Sequence, residues 1–200
     1  MPILTMPGIT GKAQVLVRMV SNTMTHTSPL NNVRRTTELP GAAWHFTFTL
    51  PRMDKDKAAE WSAFFMQLRG MAGRFYGGSV LWSQPRGVGG GVPRVNGSSQ
   101  TGTSLAVDGL PANTAGWLKV GDHFSVGDEL KVLTADANSN AGGQAVLAFE
   151  PPLRNSPADN ATLTIDNPTC VLALTSDSVG WDEQNAVQFG FVFSAMEAIF

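Results

Sequence analysis

MDKDKAAEWSAFFMQLRG, residues 53–70, decides the fold, because it is the one stretch of the chain with sustained helical periodicity. Trp61, Phe64, Phe65 and Leu68 fall at i, i+3, i+4 and i+7, so four large apolar side chains share one stripe. Asp54 stands where an N-cap is needed, Asp56 and Glu60 lie near the positive end of the helix dipole, and Arg69 followed by Gly70 closes the segment. A stripe with three aromatics requires a broad apolar partner, and the flanking sequence supplies strands.

Immediately upstream, Trp44, Phe46, Phe48 and Leu50 alternate with His45, Thr47 and Thr49, the period of a strand with one buried face, and Pro51 ends it. At the far end of the chain, AVQFGFVFSAMEAIF (186–200) places Val187, Phe189, Phe191 and Phe193 on one face. These two aromatic faces are the natural cover for the helix stripe, each large side chain contributing about 2 kcal/mol on burial before entropy costs. QVLVRMV (14–20) and TCVLAL (169–174) read as further strands, as do Phe75–Tyr76 and Val80–Trp82. Residues 1–13 read as an arm or loop, and the polar 21–40 segment as a long loop or an edge hairpin.

The remaining sequence reads as an insert. Residues 86–103, rich in glycine, suggest a flexible linker. Residues 104–166 then carry short strand candidates at regular spacing, SLAVDGL, HFSVGDELKVL, GQAVLAFEP and ATLTIDN, with Pro151 and Pro152 expected to break the third. The chain is therefore expected to be mainly β with one principal α-helix. Residues 1–85 and 167–200 would form a split β-sandwich core packed on the helix, with a small β-barrel or sandwich subdomain inserted through the linker.

Composition narrows function. Fourteen basic and 16 acidic residues give a net charge of −2, which offers no general attraction to nucleic acid or an anionic membrane. No apolar stretch reaches the length of a membrane span or a signal peptide core, so synthesis in a cytoplasm is the expectation. Cys170 is the single cysteine and lies in an apolar run, as a small core residue would. His26, His45 and His123 stand singly, outside any zinc-binding spacing. Asp136, Asn138 and Asn140 have calcium-loop spacing, but Ala141 and Leu147 occupy the positions that need Gly and Glu, so a polar turn is the better reading. GVGGGV (87–92) lacks the phosphate-loop pattern. No catalytic, cofactor-binding or metal site is expected, and a structural or interaction role leads.

The order of motifs resembles a known group. The Trp44–Leu50 strand, LPRM, AAEWSAFFMQLRG, GRFY (73–76), PRG (85–87), NGSSQTGTSL (96–105), WLKVGDHFSVGDELKVL (117–133) and FEPPLR (149–154) together resemble tail proteins of long-tailed bacteriophages and prophages, and are similar to the distal tail proteins. The resemblance spans residue 14 to the C-terminus. It implies a virion structural protein of a long non-contractile tail, made in the host cytoplasm. Its ring, commonly a hexamer of identical copies, would join the tail tube to the tip or baseplate, and neighbouring tube and tip proteins would be its partners. Tail tube or terminator subunits also form rings of small β-sandwiches and remain an alternative. So does a carbohydrate-binding tail-tip module, if Trp82, Trp117 and Trp181 are exposed stacking platforms, with a possible glycan contact by the insert.

Overall fold

A computed structural model describes residues 2–9, 13–184 and 188–199. The protein is mainly β with a single α-helix, and its strands form two sheets, one of them nearly barrel-shaped. In chain order the elements are β1 (Leu4–Thr5), β2 (Gln14–Thr27), β3 (Arg34–Thr49), α1 (Lys55–Leu68), β4 (Phe75–Gly77), β5 (Arg94–Val95), β6 (Gly102–Asp108), β7 (His123–Val126), β8 (Glu129–Leu133), β9 (Ala145–Leu153), β10 (Leu163–Thr164), β11 (Cys170–Leu174), β12 (Trp181–Gln184) and β13 (Gln188–Glu197). The first compact unit comprises Met1–Phe75 and Leu172–Phe200, and the second Tyr76–Val171.

The first unit is organised around α1. Asp54 caps it, its carboxylate accepting from the Lys57 N–H at 2.9 Å, and left-handed Arg69 ends it. Trp61, Phe64, Phe65 and Leu68 are all buried, together with Ala58. Their cover is the face formed by β3 and β13, which pair antiparallel with Phe193 opposite Phe48. Phe193 is the hub of the ring cluster: its ring centroid lies 4.8 Å from Phe48, 5.0 Å from Phe65 and 5.9 Å from Trp61. Trp44, Phe46, Phe48 and Phe191 are buried on the same face, whereas Phe189 is only half-buried. Phe189 sits where β13 bridges Met53 and pairs with β12, at the margin of the helix-covered area. Val187 lies outside the described residues. Glu197, also buried, accepts a hydrogen bond from the Trp44 N–H at 3.2 Å.

The sheet order is β1-β4-β11-β13-β3-β2, with β12 paired to β13. Within residues 1–13, read as an arm or loop, β1 is a short paired segment: Leu4 N–H bonds the Arg74 carbonyl at 2.9 Å. The 21–40 segment takes the hairpin alternative, continuing β2 and β3 far past the residues that face the helix. Pro40 is accommodated because the β2–β3 register shifts between Val20 and Asn22, leaving Pro40 without a ladder partner.

The second unit has the order β10-β7-β8-β9-β6-β5 around a core of Val95, Leu105, Trp117, Leu118, Phe124, Leu147 and Phe149, among others. Residues 86–103, read as a flexible linker, are instead part of this unit. Arg86 and Gly87 N–H groups bond the Asp122 carboxylate, Val95 is fully buried, and a Cβ at Gly87 would collide with the Gly116 and Trp117 carbonyls. Gly87 thus serves close backbone approach rather than flexibility. Two strand assignments also change. Val80–Trp82 is a turn, and β9 runs through Pro151 and Pro152 to Leu153. The prolines are tolerated because the β6–β9 ladder passes from Ser104↔Ala148 to Gly102↔Leu153, skipping the residues between.

Candidate assembly surface

The feature without a packing role inside its own unit is the outer half of the β2–β3 hairpin. Residues 20–41 of this ribbon are exposed apart from the half-buried Ser28. Its tip is a tight loop in which Ser28 N–H bonds the Val33 carbonyl at 2.9 Å and Asn32 takes a positive φ of 54°. Asn31 Oδ1 accepts from Val33 N–H at 3.2 Å. The ribbon is thus well formed locally, yet it displays Leu30, 95% exposed, and Met24, 64% exposed. At its root, the Asn22 side-chain amide donates to the Pro40 carbonyl at 2.8 Å across the register shift. β2 is the terminal strand of the sheet order, so among the described residues no strand lies beside its outward backbone groups.

The sheet face opposite α1 continues this surface. Strand alternation puts Leu16, Arg18 and Val20 of β2, His45 and Thr47 of β3, and Val192, Ser194 and Met196 of β13 on it. Leu16, Val20, Val192 and Met196 are exposed, and Thr47 and Ser194 join hydroxyl to hydroxyl at 3.0 Å. Arg18 and His45, directly opposite one another, are the only titratable side chains at these positions. A face of mixed apolar and hydroxyl side chains with a single arginine is of a kind that suits contact with another protein.

Side chains that could suggest chemistry have structural tasks. Asp122 is fully buried; burial raises its pKa, but N–H donors from Lys119, Arg86 and Gly87 and the Arg86 guanidinium outweigh this and hold it below the ordinary 3.8. His123 stacks on Trp82 at 5.3 Å, and burial lowers its pKa below 6.5 against the raising influence of the Gly121 carbonyl and the Asp122 charge. The Arg86 guanidinium lies 5.7 Å from the Trp82 ring centroid. Asp136 and Asn138 accept the Val120 and Gly116 N–H groups at 2.8 and 2.6 Å, and Asn140 accepts from Gly142 at 2.9 Å, so the stretch that mimics a calcium loop fastens turns. Among the described residues no group of three or more His, Cys, Asp or Glu is placed to hold a metal.

Of the tryptophans considered as glycan platforms, Trp117 is wholly buried with its N–H on the Gly90 carbonyl at 3.0 Å, and Trp82 is half-buried under His123. Trp181, 38% exposed, leans on Phe191. From sequence the exposed ribbon was only one of two alternatives for residues 21–40; its signal was the polar run RRTTE at 34–38 facing TMTHT at 23–27. No protein-family model matches the chain, and neither does any curated protein. Among the described residues no helix is long and apolar enough to cross a membrane.

Proposed function

We propose that the chain is a structural subunit of a long non-contractile phage tail, a distal tail or tail-tip ring component that joins the tail tube to the tip or baseplate. The observation that carries this reading is the β2–β3 ribbon, a formed but uncovered element on a terminal strand with apolar side chains at its end. A two-stranded ribbon is marginal in water without a further surface to rest on. In a closed ring of identical copies, each ribbon gains cover from its neighbour and no ribbon remains over. The motif order along the chain supports the same reading through its resemblance to distal tail proteins.

In the ring, the helix-backed sheet of each copy forms the wall and the second unit meets neighbouring tail proteins. Native mass spectrometry and negative-stain imaging of the full chain, alone and mixed with its tail neighbours, test the proposal. A closed ring, expected to be sixfold, supports it, and deletion of residues 21–40 should abolish the ring while leaving both units folded. A chain that stays monomeric with every tail neighbour overturns it, and a monomer that binds soluble glycans would favour the carbohydrate-binding module.

A further inference from the structure

The β5–β6 connection holds the chain's one Asn-Gly pair, Asn96–Gly97. Glycine after asparagine leaves the backbone nitrogen free to attack the preceding side-chain amide, because no Cβ crowds the five-membered ring that forms. Here the space is open as well: Gly97 is exposed, its φ is +95°, and a Cβ on it would meet nothing within 4 Å. The neighbouring backbone is held still. Asn96 N–H bonds the Ala106 carbonyl at 2.9 Å, and the Gln100 amide donates to the Asn96 and Gly97 carbonyls at 2.9 and 3.0 Å while accepting from Ala106 N–H at 2.6 Å. Asn138–Ser139 offers the contrast. The Asn138 side-chain oxygen is engaged by Gly116 N–H, Ser139 N–H bonds the Thr114 carbonyl at 3.0 Å, and Ser139 is buried.

One bond acts on the attacking nitrogen itself. Gly97 N–H donates to Asp159 Oδ1 at 2.8 Å. Attack requires the amide proton to leave, and an adjacent carboxylate disfavours the anion that remains. We propose that Asn96 is the site of spontaneous deamidation in this protein, and that Asp159 restrains the reaction by holding the Gly97 N–H. In the reaction, hydroxide takes the Gly97 amide proton, the nitrogen bonds to the Asn96 Cγ, and the Cγ–Nδ2 bond breaks. The departing nitrogen takes a proton from water and leaves as ammonia. Water then adds to one carbonyl of the cyclic imide and that carbon's bond to the Gly97 nitrogen breaks, the nitrogen taking up a proton: opening at Cγ gives aspartate and opening at the backbone carbonyl gives isoaspartate at position 96. Either product sets a new carboxylate beside Asp159, and isoaspartate also lengthens the backbone by one carbon next to the Val95↔Val107 pair. Conversion therefore loosens β5 from β6.

Incubation of the full chain in warm, mildly alkaline buffer, followed by peptide mapping that separates aspartate from isoaspartate, tests this. Asn96 is expected to convert before any other asparagine, D159A several-fold faster than the parent, and D159N, which keeps an acceptor oxygen but loses the charge, at a rate between the two. N96Q should remove the signal. Conversion of another asparagine first overturns the site, and a D159A rate equal to the parent's overturns the restraint. Hydrogen exchange on D159A checks that the second unit is folded; should it not be, a D159N rate matching the unfolded parent chain would equally overturn the restraint.

Discussion

In the first unit aromatic rings interlock around Phe193, and one polar side chain, Glu197, is buried among the described residues. In the second the core is aliphatic with fewer rings, and Asp122, His123, Ser125, Glu129, Lys131 and Ser139 are all buried. The contrast follows from element length. A 14-residue helix on strands of 16 and 10 residues satisfies its own backbone and needs only apolar cover. A unit of short strands joined by turns leaves loop N–H groups to be satisfied one by one. Asp122 takes three of them from two separate loops, and Glu129 accepts the Arg154 and Asn155 N–H groups at 3.1 Å each while paired with the fully buried Lys131 at 2.6 Å. Removing one member of such a buried pair costs more than the pair contributes, so these groups specify loop positions more than they add stability.

The comparison breaks or sharpens in three ways. Trp61→Ala should have the largest effect, about 3–5 kcal/mol, because it opens a cavity among Phe64, Phe65 and Phe193. Hydrogen exchange should locate that loss in residues 1–75 and 172–200, and an equal loss throughout residues 76–171 would mean that the units do not differ as described. Asp122→Ala should cost about 2–3 kcal/mol in the second unit by stranding the Arg86, Gly87 and Lys119 N–H groups. Because the folded carboxyl titrates below 3.8, its contribution is complete above that value and is lost as pH falls through the lower folded value. Urea midpoints across an acid series should therefore fall less for Asp122→Asn than for the parent. The smallest effect concerns His123. With its folded pKa below 6.5, its contribution is complete above 6.5 and declines as pH drops toward the folded value. Emission from Trp82 should follow that decline in the parent and lose it in His123→Phe; identical profiles would remove His123 from the account.

Legibility tracked the range over which each residue finds its partner. The helix stripe, the Trp44–Phe48 alternation and the second aromatic strand were readable because amphipathic periods are local: Trp44, Phe46, Phe48, Trp61, Phe64, Phe65, Leu68, Phe191 and Phe193 are buried, Phe189 is half-buried, and Val187 lies outside the described residues. The role of residues 86–103 was not readable, since the Asp122 that holds Arg86 and Gly87 stands 36 and 35 positions away. The candidate assembly surface was legible only as two options for residues 21–40. A run of Thr, Asn and Arg without apolar alternation serves a loop or an exposed ribbon equally well, and the choice rests on the pairing of Thr27 with Arg34 through Asn22 with Leu39.

The sequence by itself determined that residues 53–70 form a helix with Trp61, Phe64, Phe65 and Leu68 on one stripe, and that aromatic strands exist to cover it, because side-chain periodicity is set by backbone geometry. Only the tertiary structure decided that the glycine-rich stretch is packed, that β9 passes through two prolines, and that the 21–40 segment is a formed ribbon with Leu30 at its exposed end. Those outcomes depend on acceptors, register and close backbone approaches supplied by residues far along the chain, which no local pattern encodes.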